Sequence, residues 1–200
     1  MGKISKLFPS VARVNLNLNI KKFLKQLEGK VLDIGAGCSP YKKRINYTDY
    51  QTIDIDNKNS PDITANIHTL DIKDSFDSVI ITEVLEHCEN PQQVINKIYD
   101  ILKPGGVCLL STRFIHPYHP CPLDYFRFTK DSLDYLFSKF KKVEVYPVGN
   151  RFLCVWELIS HGYPFYGLRL FNYPLALLLN FKSDIFPLGY IVLAKKEEIK

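Results

Sequence analysis

Two hundred residues, 46% of them hydrophobic and 24% charged, suffice for one domain with a sizeable core and exclude a disordered or repeat-built chain. Five cysteines, at positions 38, 88, 108, 121 and 154, form no Cys-x-x-Cys pair and no disulfide-like framework; that usage suits a reducing compartment, and the expected location is the cytoplasm. The net charge of +5 is spread over short groups such as Lys21-Lys22 and Lys42-Lys43-Arg44, so no basic stripe argues for DNA as a partner, and none is expected.

The amino-terminal residues are basic but lack an apolar run and a small-residue cleavage site, so no export signal is expected. The first predicted element is an amphipathic helix in which Ile20, Phe23, Leu24 and Leu27 share one face and Gly29 ends the run. Together with the rest of residues 1–29 it is expected to cover the ligand side of a sheet. A strand follows near 30–35, where Val31, Leu32 and Ile34 run into Asp33-Ile34-Gly35-Ala36-Gly37. Glycines at 35 and 37 let the backbone turn sharply and approach a ligand where a Cβ would intrude. A buried strand entering such a loop beside a carboxylate reads as a nucleotide-type site. The next strand, near 50–54, ends in Asp54-Ile55-Asp56, about 20 residues beyond the loop, the distance at which an acid grips ribose hydroxyls. The dinucleotide fingerprint wants a third glycine, and here Cys38-Ser39-Pro40 stands instead, so a pyrophosphate is not the favoured ligand.

Further along, the pattern predicts a short strand near 62–65, a strand near 78–82, a helix near 91–102, a strand near 106–111, a helix near 130–138, a strand near 142–148 and a final strand near 189–195. Strand and helix signals in alternation predict an α/β fold with a mostly parallel sheet covered by helices. Residues 150–188 form an apolar, aromatic-rich insertion before the last strand. Within it, Leu170 to Phe181 carries no charge and is too short to span a bilayer; a core helix is the favoured reading, and an interfacial helix resting on a membrane is the alternative.

Three segments carry a resemblance. Val31-Leu32-Asp33-Ile34-Gly35-Ala36-Gly37, Phe76-Asp77-Ser78-Val79-Ile80-Ile81-Thr82-Glu83-Val84-Leu85-Glu86-His87 and Leu102-Lys103-Pro104-Gly105-Gly106-Val107-Cys108-Leu109-Leu110-Ser111 occur in the order and spacing of the class I S-adenosylmethionine-dependent methyltransferases, and the chain resembles their type 11, small-molecule branch. That resemblance implies a single domain over 1–200 with a Rossmann-like, doubly wound, seven-stranded sheet, helices on both faces and the last strand antiparallel. It implies S-adenosyl-L-methionine as the cofactor. Asp33, Gly35 and Gly37 would then serve the amino-acid end, Asp54 the ribose hydroxyls, Asn66 the adenine amino group in place of the family's usual aspartate, and Ile55 and Ile67 the walls of the ring slot. Thr82 and Glu83 would line the sulfonium or carboxylate end, with a helix cap or a surface acid as the plainer alternative for Glu83.

Methyl transfer is an in-line displacement, and a base is needed only for a poorly nucleophilic acceptor. His87, after the fourth strand, is the first candidate base and His119 the second; for His87 a role in holding its loop is the competing reading. The segment Phe114 to Thr129 is stiffened by Pro117, Pro120 and Pro122 and presents His116, Asp124, Tyr125 and Arg127 beside the donor site, a composition suited to a polar, hydroxylated acceptor. An Asp124–Arg127 ion pair that shapes the loop is an equal reading. His116-x-x-His119-x-Cys121 has metal-like spacing, yet the prolines limit convergence and no second ligand cluster is evident, so no metal is expected. Asp124-Tyr125-Phe126-Arg127-Phe128-Thr129 resembles a segment of type 11 enzymes tied to bacterial surface glycans and glycolipids, with Thr129 capping the next helix. The expected acceptor is thus a small molecule or glycan, such as a sugar or glycolipid precursor, with peripheral contact to the inner face of a membrane as a further expectation. The competing function is a catalytically silent module of the same fold that docks a protein or a membrane surface.

Overall fold

The computed structural model describes residues 9–161 and 165–198; the basic start of the chain lies outside them. Helix α1 spans Val11–Leu24, with the Ser10 hydroxyl accepting from the Arg13 N–H at its amino end. It begins earlier and ends sooner than the sequence suggests. The Gln26 and Leu27 amides bond back to Phe23 and Leu24, tightening the chain out of the helix. Gly29, expected to end the helix, lies inside the first strand at φ +73°, where a Cβ would stand 2.6 Å from an Asp77 oxygen.

The sheet is built from β1 (Glu28–Ile34), β2 (Asn46–Asp54), β3 (Ile63–Thr64), β4 (Phe76–Thr82), β5 (Leu102–Arg113), β6 (Lys142–Val148) and β7 (Gly189–Lys195), in the order β3-β2-β1-β4-β5-β7-β6. β7 runs antiparallel to both its neighbours and the remaining pairs are parallel. Four further helices are α2 (Pro91–Ile101), α3 (Lys130–Leu136), α4 (Arg151–Ser160) and α5 (Asn172–Leu178). α3 starts as expected, with Thr129 Oγ1 accepting from the Ser132 N–H.

Strand periodicity divides the core. Leu32 and Ile34 face a layer with Val94 and Ile98 of α2 and Leu133 of α3, whereas Val31 faces Ile20, Phe23 and Leu24 of α1 together with Ile80 and Leu109. A third cluster joins Val11, Ala12 and Val14 of α1 to Leu153 of α4, Ala176 of α5 and Leu188. The strand order reverses at β1 and β4, the place where parallel sheets open a crevice at their carboxyl ends. α1 roofs that end of the sheet, since the Tyr41 hydroxyl beyond β1 donates to Asn17 Oδ1 at 2.8 Å.

One expectation fails here. Leu170 to Phe181 is not a core helix: Asn172 and Ala176 are buried, while Leu170, Phe171, Tyr173, Leu177, Leu178 and Phe181 are all more than half exposed. The helical stretch is short and mostly apolar; Asn172 accepts from the Trp156 indole of α4 and Ala176 packs with α1 and α4, while the remaining apolar positions stay largely open.

Candidate active site

The glycine loop is held by hydrogen bonds that the sequence spacing anticipates. The Gly35 and Ala36 N–H groups donate to the Ile53 carbonyl at 2.8 and 3.2 Å, and the Gly37 N–H donates to Asp54 Oδ2 at 2.8 Å. Both glycines have positive φ, and they differ in purpose. A Cβ on Gly35 would overlap the Val84 side chain, whereas nothing lies within 4 Å of a Cβ built on Gly37. Gly35 therefore serves close packing of β1 on the turn after β4, and Gly37 borders open space beside Asp54. Asp54 Oδ1 also accepts from the Asp56 N–H, and its carbonyl takes the Ala65 N–H. That last bond draws the segment containing Asn66 and Ile67 to the end of β2.

The residues assigned to this end are not all placed as the resemblance implies. Asp33 is buried at 4% exposure and accepts from the Tyr50 hydroxyl at 2.7 Å. Burial pushes its carboxyl up to about 6 against the hydrogen bonds from Tyr50 and Ser39. It locks the loop from beneath instead of facing open space. Ile55 is exposed at the rim, while Ile67 packs into the core layer below α2. Asn66 is exposed, with its Oδ1 accepting from the His68 N–H.

At the end of β4, Thr82 is half-buried and Glu83 turns at φ +59°, a backbone state that costs a side-chain-bearing residue about 1–2 kcal/mol. The turn aims the Glu83 carboxylate inward, where it pairs with Arg113 and accepts from Ser111 Oγ at 3.0 Å. Neither helix capping nor a surface position describes it. Burial alone would raise its pKa, yet the charges of Arg113 and Arg13 hold it below the ordinary carboxylate range. Glu86, fully buried with Thr112 Oγ1 donating at 2.8 Å, goes the other way: burial and then the Glu83 charge push it up to about 8. Two adjacent carboxyls thus take opposite protonation states at neutral pH.

Arg13, Arg113 and Glu86 escaped the sequence reading. Arg13 sits on α1, 70 residues from Glu83 in the chain, and no local spacing links them. The charge count is nonetheless informative, because two guanidinium groups face one carboxylate once Glu86 is neutral. The buried network carries a surplus positive charge and suits an anion.

Four histidines line one side of this network. Ring centroids step from His87 to His119 (4.9 Å), to His116 (4.6 Å) and to His161 (5.3 Å). The His87 Nδ1 lies 2.5 Å from the Leu123 carbonyl; a carbonyl only accepts, so Nδ1 bears the proton and Nε2 the lone pair. His119 is kept neutral, with burial and then His116 lowering its pKa to about 4. His116 turns inward, its side chain 5% exposed against Glu157, and away from any acceptor at the surface. Cys121 is exposed, and His-x-x-His-x-Cys does not converge as a set. Asp124 is clasped by both Arg127 Nη atoms at 2.5 and 2.6 Å and by the His119 N–H at 2.9 Å. With its side chain 1% exposed, Asp124 shapes the loop, the second of the two readings open to it. Tyr125 stands outside, its hydroxyl donating to Glu89.

A cleft lies elsewhere, between residues 69–72 and α2. Its one lysine, Lys97, already donates to the Ile67, His68 and Leu70 carbonyls, so it offers no free charge to a ligand.

Comparison with known proteins agrees with the crevice. Residues 32–110 match the family Methyltransf_11, described as a methyltransferase domain. Over those residues, about two fifths of the chain, the match is to a type 11 methyltransferase domain. Two curated proteins are similar to it over parts of their length, both named ubiquinone biosynthesis O-methyltransferase: that of Shewanella halifaxensis is 26% identical over 121 residues, covering 49% of this chain and 51% of the relative, and that of Pseudomonas putida is 29% identical over 101 residues, covering 42% and 44%. This chain spans about half or less of the length of the curated relatives it matches. The methyltransferase domain also matches in fold a SAM dependent methyltransferase from Archaeoglobus fulgidus (TM-score 0.60, 18% identity, 96% of this chain and 97% of that one) and phosphoethanolamine N-methyltransferase 2 of Haemonchus contortus (TM-score 0.61, 17% identity, 93% and 53%). At those identities the likeness concerns the fold, a seven-stranded sheet with one antiparallel strand.

Proposed function

We propose that this chain is an S-adenosylmethionine-dependent O-methyltransferase acting on a small polar acceptor, with a sugar or glycolipid precursor as the leading class. The observation that carries the reading is the open space at Gly37 beside Asp54, within a methyltransferase domain. The Gly37 backbone and Asp54 would hold the ribose side, and the exposed Asn66 and Ile55 the adenine side. The surplus charge of Arg13 and Arg113 complements an α-carboxylate, while Asp33 and Tyr50 fix the loop that meets it. When bound, S-adenosylmethionine supplies a methyl group already activated on a sulfonium.

The chain's own residues then have two tasks. The loop built on Asp124 and Arg127 orients an acceptor hydroxyl, and His87 takes its proton at Nε2, the nitrogen its Leu123 bond leaves free. The curated relatives bear the name of an O-methyltransferase, which is consistent with a hydroxyl acceptor. Contact with a membrane surface fits Leu170, Phe171, Leu177 and Leu178, each more than half exposed within one short stretch. Among the described residues no helix is long and apolar enough to cross a membrane.

Calorimetric titration of S-adenosylmethionine and S-adenosylhomocysteine tests the donor site, with Asp54→Ala and Asp33→Ala as controls. Saturable binding that is abolished in Asp54→Ala and weakened in Asp33→Ala is expected; a folded wild type that binds neither ligand refutes the proposal. Sedimentation with anionic vesicles, reduced in Phe171→Glu/Leu178→Glu, tests the membrane contact separately.

A further inference from the structure

We propose that His116, Glu157 and His161 form a binding site for a zinc-class divalent cation, separate from the donor crevice. Three observations converge on it. First, the donors come from two parts of the fold: His116 from the segment after β5, Glu157 from the last turn of α4 and His161, four residues on, from the cap that ends that helix. One ligand atom of each lies within 4.8 Å of the others.

Second, the spacing is that of metal ligands. Each Nδ1 lies 3.3 Å from the same Glu157 oxygen, Oε1. A charge-assisted hydrogen bond between imidazole and carboxylate closes to roughly 2.7–2.9 Å, whereas ligands at about 2.05 Å from a tetrahedral zinc stand about 3.3–3.4 Å apart. His116 Nδ1 is buried and makes no hydrogen bond of acceptable geometry.

Third, the carboxylate is oriented from behind. Glu157 Oε2 accepts from the Ala12 N–H at 3.0 Å, leaving Oε1 for the ion, as outer partners do for metal-bound ligands. Two imidazoles and a carboxylate are a known zinc donor set, with a fourth position for water, and His161, 28% exposed at its side chain, gives the entry path. A cation here would pin the segment after β5 to α4.

The test is competition between the purified full chain and a chromophoric zinc chelator, in a Cys38→Ser/Cys121→Ser background that removes the two exposed thiols. One equivalent of Zn2+ is expected to bind, with affinity falling roughly a hundredfold in His161→Ala, restored in part by His161→Asp, and unchanged in His87→Ala. Co2+ in place of Zn2+ should give the visible absorption of a tetrahedral site. Circular dichroism establishes that each variant is folded, and His161→Asp keeps the test decisive if the alanine variant is not. No stoichiometric binding, binding indifferent to His161, or binding lost in His87→Ala would overturn the assignment. None of these readouts depends on methyl transfer.

Discussion

Glu86→Gln should make the protein more resistant to alkali, an unusual direction for removing a charge. The carboxyl is raised from 4.5 to about 8 in the folded chain by burial and by the Glu83 charge. A raised folded pKa gives stability that is fully present below 4.5 and is lost as pH climbs through 8, because the unfolded chain releases the proton first. Integrated from pH 5 to pH 9, the shift is of the order of 4 kcal/mol. For a domain of this size that corresponds to a melting temperature lower by about 8–16 °C. Glutamine has nearly the same shape, keeps an oxygen to accept from Thr112 and has no proton to lose. Melting curves of wild type and Glu86→Gln at half-unit steps from pH 5 to 9 isolate the effect, since other titrating groups cancel in the difference. The two should converge near pH 5, separate steadily from there to about pH 8 and run parallel above it, with the variant the more stable. Curves parallel over the whole range, or a variant that is less stable throughout, would refute the protonation state assigned to Glu86.

The two loop glycines should separate folding from binding. Gly35→Ala meets Val84 at a positive φ and should cost more than 2 kcal/mol in denaturant titration. Gly37→Ala meets nothing and should cost only about 1 kcal/mol while weakening S-adenosylmethionine binding at least tenfold by calorimetry. A thiol reagent should titrate Cys38 and Cys121 in the native protein and the other three only on unfolding, since Cys88 and Cys154 are pushed up to about 12 and Cys108 is fully buried. Arg127→Lys should cost about 1.5–3 kcal/mol, because a lysine cannot reproduce the two-pronged bond to buried Asp124; faster amide exchange confined to residues 114–129 would locate the loss.

The sheet was legible because its signals are local and redundant. A buried parallel strand must be apolar on both faces, and runs such as Val79-Ile80-Ile81 and Cys108-Leu109-Leu110 are. Strand starts were less legible: β2 begins at Asn46, four residues before its apolar part, since backbone pairing to β1 needs no apolar side chain there. The place of Asp54 beside the glycine loop was legible in the same way, as Gly37, whose N–H it accepts, lies in the loop following the neighbouring strand β1. α5 misled because an apolar string carries no mark of the side it buries. Only the position of α1 decides that Ala176 is covered and Leu178 is not.

The polar network was hidden for a deeper reason. Sequence spacing reports on what one element can present, whereas the protonation of Glu83 and Glu86 depends on who faces them from other elements. Three residues apart in the chain, the two look alike, and the resemblance distinguishes them only by order. In the fold, Arg113 from β5 and Arg13 from α1 close on the first, whereas the second accepts from the Thr112 hydroxyl and is governed by burial. The first is thereby charged and the second neutral, which leaves a positive charge in excess among these four groups. Removing Arg13 would take away that excess and leave Glu83 paired with Arg113, so in the proposed donor site the hold on an α-carboxylate depends on a helix that the sequence marks only as a cover.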